Sequence, residues 1–312
     1  MTLPHFRTNL LRKNPLSKNL PRKRRPLSLS LLLGSLLLVT TACSQAPAGP
    51  AGKDASAGPG SSNSASQASS SGSSGAGKSR TMWHPKVGVD WQWQLTGKFD
   101  PTVNAPVYDI DGFKQDASVV ADLHKRGRKV ICYISVGAHE DFRPDASRFP
   151  KDVIGEENGW EGEKWLDIRR LDVLEPLMAK RFDMCRDKGF DAVEPDNVDG
   201  YKNETGFDLD EEDQLAFNRM IAKLAHDRGM SVGLKNDLDQ IPQLVGDFDF
   251  AVNEQCAQYD ECAKMTPFIK AGKPVFHVEY ELQAAQFCSA TKRLHFSSLQ
   301  KRKDLDAWRK VC

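Results

Sequence analysis

Carboxylates gather behind short apolar runs along residues 87–280. Tyr108-Asp109-Ile110-Asp111, Glu194-Pro195-Asp196-Asn197-Val198-Asp199, Asn253-Glu254 and His277-Val278-Glu279-Tyr280 each set an acid at the end of a β-rich stretch, and Glu140 follows another. Two carboxyl groups in different environments can cleave a glycosidic bond. One is protonated and assists the leaving oxygen; the other is ionised and attacks carbon or activates water. Trp91, Trp93, Tyr133 and Tyr201 recur in the same pattern, as do the polar groups of Asn197, Lys235 and Asn236. Rings of that kind present apolar faces to sugars, and the polar groups suit hydroxyls. Structural roles are open to the same residues. Asp196 could cap a turn, Asp199-Gly200 is a turn sequence, and Glu254 could pair with Lys235 or Arg143. Lys235 reads more readily as an ion-pair partner than as a hydroxyl donor. His277 has no second histidine at ligand spacing and no C-x-x-C occurs, so neither metal nor cofactor is expected.

The elements that must position these groups alternate. Strand patterns fall at 87–95, 107–110, 129–136, 164–168, 191–195, 231–234, 250–253 and 275–279. Several are nearly continuous apolar runs, as parallel strands covered by helices are. Amphipathic segments lie between them. One opens at Asp208, carries Glu211, Glu212 and Asp213 early, and stops at Gly229; another runs from Asp172 to Lys188 ahead of Gly189. Strand–helix alternation of this length predicts an α/β fold, a (β/α)8 TIM barrel, with its chemistry at the C-terminal strand ends. No G-x-G-x-x-G follows the first strand pattern, which disfavours a dinucleotide fold. Residues 137–163 are expected to form a loop insertion on the active face.

The front of the chain is of another kind. Residues 1–43 hold eight Lys/Arg and no acid, and an apolar run from Leu27 to Val39 precedes Thr40-Thr41-Ala42-Cys43. This reads as a signal peptide with a lipobox-like end and lipidation at Cys43. Residues 44–81, rich in Ser, Gly, Ala and Pro, read as a disordered linker, and 82–312 as a single catalytic domain. The expected location is exported, as a cell-envelope lipoprotein or an extracellular protein, touching membrane only through the lipid. Beyond residue 43 the chain has 35 basic against 42 acidic residues. That excess argues against nucleic acid and for a cationic ligand. Six cysteines remain, and in an oxidising compartment the pairs Cys132–Cys185, Cys256–Cys262 and Cys288–Cys312 are expected, free buried thiols being the alternative. A monomer is expected.

Taken in order, these motifs resemble glycoside-hydrolase family 114, the endo-α-1,4-polygalactosaminidase family. The resemblance runs through Trp91-Gln92-Trp93-Gln94-Leu95, Tyr108 to Asp111, Cys132 to Gly137, Glu140 with Arg143-Pro144-Asp145, Glu194 to Asp199, Gly233 to Asn236 and Asn253 to Cys256. It lapses in the linker and after Tyr280. It implies hydrolysis of α-1,4 bonds in partly deacetylated galactosaminoglycan, a cationic or partly acetylated amino-sugar polysaccharide. It also carries the catalytic pair onto Asp196, as nucleophile, and Glu254, as general acid/base. Asp109, Asp111, Asp199 and Glu279 are then candidates for amine or hydroxyl contacts. Two other readings stand beside this one: a hydrolase of another amino-sugar polymer, and a non-catalytic surface polysaccharide-binding barrel.

Overall fold

The computed structural model describes residues 81–312; the predicted signal peptide, Cys43 and the linker up to residue 80 lie outside the described residues. Twelve strands appear: β1 Trp91–Gln94, β2 Val107–Asp111, β3 Lys129–Ser135, β4 Ala138–Glu140, β5 Ile154–Glu157, β6 Glu163–Leu166, β7 Ala192–Asp196, β8 Ser231–Lys235, β9 Phe250–Glu254, β10 Val275–Glu279, β11 Ser297–Lys301 and β12 Arg309–Val311. Six α-helices accompany them: α1 Ala117–Lys125, α2 Leu171–Lys188, α3 Glu211–His226, α4 Ile241–Leu244, α5 Thr266–Lys270 and α6 Ala284–Arg293. The main sheet runs β1-β2-β3-β7-β8-β9-β10-β11-β12, parallel up to β11 and antiparallel at its last pair. It forms a nearly closed mixed barrel flanked by helices, a TIM-barrel-like fold. Side chains hold the seam. The Trp91 indole donates to Ser297 O at 3.0 Å, and Arg309 grips the Asp90 carboxylate and the Trp91 carbonyl.

Local chemistry sets these elements. Asp210 caps α3 by accepting from Glu212 N and Asp213 N, while Asp213 reaches back to the Asp210 amide, and the acids of the first turn suit the helix dipole. Gly189 takes a left-handed φ of +91° and ends α2. Asp191 and Asp249 precede β7 and β9 and accept from Val130 N and Val232 N at 2.9 Å, which staples the strand starts. Among the described residues the disulfides are Cys132–Cys185, Cys256–Cys262 and Cys288–Cys312.

Two strand assignments need correction. The segment predicted at 164–168 belongs to no barrel wall; it falls in β6 and just beyond, and β6 is the centre of a small antiparallel sheet, β4-β6-β5, within the predicted insertion. The eighth parallel strand is β11, Ser-Ser-Leu-Gln-Lys, which lacks an apolar run. Three of its four polar residues are buried with a partner for the side chain, Ser297 Oγ being the exception. Ser298 meets His277, Gln300 accepts from Ala284 N, and Lys301 donates to Asp306 O. No helix lies between β1 and β2.

Within the barrel the two-residue period decides which chemistry faces inward. On β7 the apolar Ala192 is followed at that spacing by Glu194 and Asp196; on β2, Val107 is followed by Asp109 and Asp111. Trp91, Trp93, Ile131, Phe250 and Phe276 join Val107 and Ala192 in an apolar floor. The polar layers stand above it.

Candidate active site

Three strands end on the residues that matter most. Asp196, Lys235 and Glu254 are the last residues of β7, β8 and β9. Each is followed by a left-handed residue: Asn197 (φ +64°), Asn236 (φ +49°) and Gln255 (φ +64°). Non-glycine residues adopt that conformation at a cost of about 1–3 kcal/mol each and are found where function needs a sharp turn. Here the turn stops each strand at a side chain bound for the barrel mouth. Gly137 makes one turn possible, since a Cβ on it would stand 1.7 Å from Asn197 O.

Lys235 joins the three ends. Its Nζ lies 2.9 Å from Asp196 Oδ1, 3.2 Å from Glu194 Oε1 and 3.3 Å from Glu254 Oε2, with the side chain 2 % exposed. It also sits 4.8 Å from the centre of the Trp93 ring. Burial favours the neutral amine, but Asp196, Glu254 and Glu194 outweigh it and hold Lys235 as an ammonium. Asp196 has the converse balance. Burial would raise its pKa, yet the Lys235 charge, the hydrogen bonds from Lys235 and Tyr133 (2.7 Å), and the Asn197 amide (2.9 Å) keep it below the usual carboxylate range. Glu254 is the more open of the two at 28 % exposed. The Tyr280 hydroxyl bonds it from one side, and its own amide is fixed to Asn236 Oδ1 at 3.0 Å. Below them Asp109 and Glu194 are fully buried. Burial, with Glu194 beside it, raises the Asp109 pKa far above its ordinary value; burial raises Glu194 as well, against the nearby Lys235 charge.

Two cavities meet at Glu254. The smaller, about 350 Å³, takes in Trp93, Tyr133, Asp111, Glu140, Asn197 and the Asp196–Lys235 pair. The larger, about 630 Å³, runs over Asp199, Asn236, Asp237, Tyr259 and Tyr280. Trp160, Lys303 and Leu305 border both, so the two are lobes of one groove. Asp111 and Glu140 are neutralised by Arg143, which reaches both Asp111 oxygens at 3.0 Å and Glu140 Oε1 at 2.7 Å.

Of the sequence candidates, Trp93, Asp111, Tyr133, Glu140, Asp196, Asn197, Asp199, Lys235, Asn236 and Glu254 therefore share the groove. Four do not line it. Trp91 is wholly buried in the floor against Phe276. Asp109 lies beneath Lys235. Glu279 is fully buried and accepts from Ala257 N (2.7 Å) and His277 Nε2 (2.9 Å), holding the loop after β9. The Tyr201 hydroxyl is enclosed without a partner. A strand-end acid reads the same in sequence whether it faces groove or loop, and only the alternation of its own strand separates the two. The groove also has walls that the carboxylate pattern did not reveal. Phe142 and Trp160 stand half-exposed on the insertion, and Lys303–Leu305 come from the tail. Exposed aromatics in a polar insertion were the available signal.

Paired carboxyl groups, one clamped and one open, in a groove across the strand ends of such a barrel are the equipment of a glycoside hydrolase. Residues 72–312 match glycoside-hydrolase family GH114, and the chain belongs to that family. The match includes the tail after Tyr280, where the motif resemblance lapsed. The chain is 43 % identical to Ega3 of Aspergillus fumigatus, solved in complex with galactosamine, with a TM-score of 0.70 over 75 % of this chain and 98 % of that one. The glycoside hydrolase domain of PelA from Pseudomonas aeruginosa shares the fold, with a TM-score of 0.56 at 14 % identity over 71 % of this chain and 97 % of that one. An uncharacterized protein of Deinococcus radiodurans is 27 % identical over 244 residues, 67 % of this chain and 78 % of its own.

Proposed function

We propose that the protein is an endo-acting hydrolase of α-1,4 bonds in partly deacetylated galactosamine polysaccharide, built on a (β/α)8 barrel. The observation that carries this reading is the Lys235 ammonium shared by Asp196 and Glu254 where two groove lobes meet. Galactosamine in the Ega3 complex supports the sugar. Acids in both lobes support a cationic chain, and a groove extending to both sides of Glu254 supports cleavage within it.

Because one Nζ contacts Asp196 Oδ1 at 2.9 Å and Glu254 Oε2 at 3.3 Å, these two oxygens are at most about 6 Å apart, which supports the closer spacing of a retaining pair. The mechanism is then retaining. Asp196, held ionised, attacks the anomeric carbon while Glu254, as the acid, gives its proton to the departing glycosidic oxygen; a glycosyl ester forms. Water then enters, Glu254 takes its proton, and the new C–O bond releases Asp196 as carboxylate. Lys235 and Tyr133 fix the nucleophile and Tyr280 orients Glu254. Trp93, Asp111, Glu140, Asn197, Asp199 and Asn236 contact the sugars.

The domain belongs to an exported lipoprotein whose signal peptide ends at Cys43 and is joined to it by a linker over residues 44–81. Three disulfides suit an oxidising compartment, and among the described residues no helix is long and apolar enough to cross a membrane. The test is incubation with partly deacetylated α-1,4-galactosaminan, following the anomer first released by NMR. Oligosaccharides released as the α anomer are expected. Initial release of the β anomer would remove the retaining mechanism, and an intact polymer would remove the substrate.

A further inference from the structure

Among the parallel strands β7 stands fourth and β11 eighth, so the two face each other across the nearly closed barrel. The insertion enters between β3 and β7, and the tail loop 302–308 follows β11. A contact between insertion and tail therefore has to cross the mouth. One exists: Lys303 Nζ lies 5.7 Å from the centre of the Trp160 ring. The crossing also divides the groove. Trp93, Asp111 and Tyr133 of β1, β2 and β3 line the smaller lobe, Asn236, Asn253 and Tyr280 at the ends of β8, β9 and β10 line the larger one, and Trp160 and Lys303 border both. The two halves of the crossing are held differently. The tail is anchored: Leu305 O accepts from Leu95 N at 3.0 Å, Lys301 Nζ donates to Asp306 O at 2.7 Å, and Cys288–Cys312 closes the segment. Trp160 sits at the tip of the β5–β6 hairpin, 56 % exposed, between Gly159 and Gly162 with left-handed φ of +99° and +81°. Its backbone bonds stay inside that turn, from Trp160 N to Asn158 Oδ1 and from Glu163 N to Trp160 O, each 3.1 Å. Glycine on both sides frees the turn to swing, and an exposed cation–π contact is weak enough to open and re-form.

We propose that Trp160 and Lys303 form a clasp over the groove, which opens to admit a polysaccharide chain from the side and closes across it, so that the chain is kept between cuts. The hairpin is the moving half and the tail the fixed half. The inference rests on the polysaccharide reading of the groove and adds to it how the chain is retained. A chain lying through both lobes has to pass beneath the crossing, whereas a ligand confined to one lobe does not. Retention therefore depends on ligand length and on both residues together. Stacking of a sugar on Trp160 alone would need no lysine.

The test is the dissociation rate of the full-length Glu254→Gln protein from immobilised, partly deacetylated α-1,4-galactosaminan, beside calorimetric titration with a galactosamine disaccharide. In that background Trp160→Ala and Lys303→Ala should each speed release from the polymer about tenfold or more, and the two together no more than either alone. Lys303→Arg, which keeps a cation for the indole, should preserve slow release. Affinity for the disaccharide should change by less than about threefold throughout, with thermal melts confirming the fold. Release left unchanged or slowed by either substitution, or effects that multiply in the double variant, overturns the clasp. The coupled effect, in a protein whose unmutated form leaves the polymer intact, keeps the clasp and removes the hydrolysis instead. A protein that does not hold the polymer at all overturns the clasp together with the substrate.

Discussion

At the scale of residues the account turns on which acids carry charge. Burial and Glu194 favour the neutral form of Asp109, whereas the Lys235 charge favours the ionised form of Glu194, so replacing Asp109 should matter little and replacing Glu194 a great deal. Asp109→Asn is expected to keep kcat within about fivefold, whereas Glu194→Gln should lower it about a hundredfold by loosening Lys235. Steady-state kinetics of the two variants decide this, and equal losses would show that both acids are ionised. Asp199 and Asp237 make a second prediction. Their folded pKa values, about 6 and about 7, exceed an unfolded value of about 3.9. Between those limits the folded state binds more protons than the unfolded state. The stability these groups contribute is therefore complete below about pH 4 and lost as pH rises through about 7. Asp196 works the other way: its folded pKa is depressed, so its contribution is present above the unfolded value and lost in acid. Melting curves from about pH 5 to 8 should show a decline that flattens in the Asp199→Asn, Asp237→Asn double variant. An unchanged slope would mean that neither carboxyl is raised. Asp196 and Glu254 were legible in the sequence because acids at strand ends and the family motifs point to the same positions. Asp237 was hidden beside Asn236, since a turn acid behind a lysine looks like surface.

Elements explain why those residues stay where they are. Gly137 is fixed by the Asn197 carbonyl, and Val136 N and Gly137 N both donate to Asp196 O, at 3.0 and 3.2 Å. Gly137→Ala should displace the β7 end and depress kcat far more than it depresses the melting temperature, a contrast that kinetics and calorimetry measure together. The Cys288–Cys312 disulfide closes 24 residues around β11, β12 and the tail loop bordering the groove. Its loss should cost about 3 kcal/mol in urea unfolding of the Cys288→Ser, Cys312→Ser variant; an unaltered midpoint would show that the barrel seam holds without it. The same region marks where sequence reading stopped. Apolar or alternating runs reveal strands buried by hydrophobicity, and seven of the eight parallel strands carry such a pattern. Strand β11 is buried through hydrogen bonds from serine, glutamine and lysine, which leave no apolar trace, while Lys-Trp-Leu in β6 mimics one.

For the whole molecule, net charge sets the working conditions. Residues 44–312 carry 35 basic against 42 acidic groups, and a cationic polymer gathers at such a groove less well when salt screens the field. Raising ionic strength from about 0.05 to 0.5 M should increase KM severalfold with little change in kcat; a flat KM would point to a neutral substrate. The compositional asymmetry of the chain was legible from end to end, whereas the folding of the tail across the barrel mouth depends on long-range contacts that no local pattern encodes. The most direct test of the whole account is the rate of oligosaccharide release from partly deacetylated galactosaminan by the unaltered protein, by Asp196→Asn and by Glu254→Gln, each shown to be folded. The account predicts ready release by the first and a loss of at least about a thousandfold in both variants. Undiminished release by either variant would contradict it.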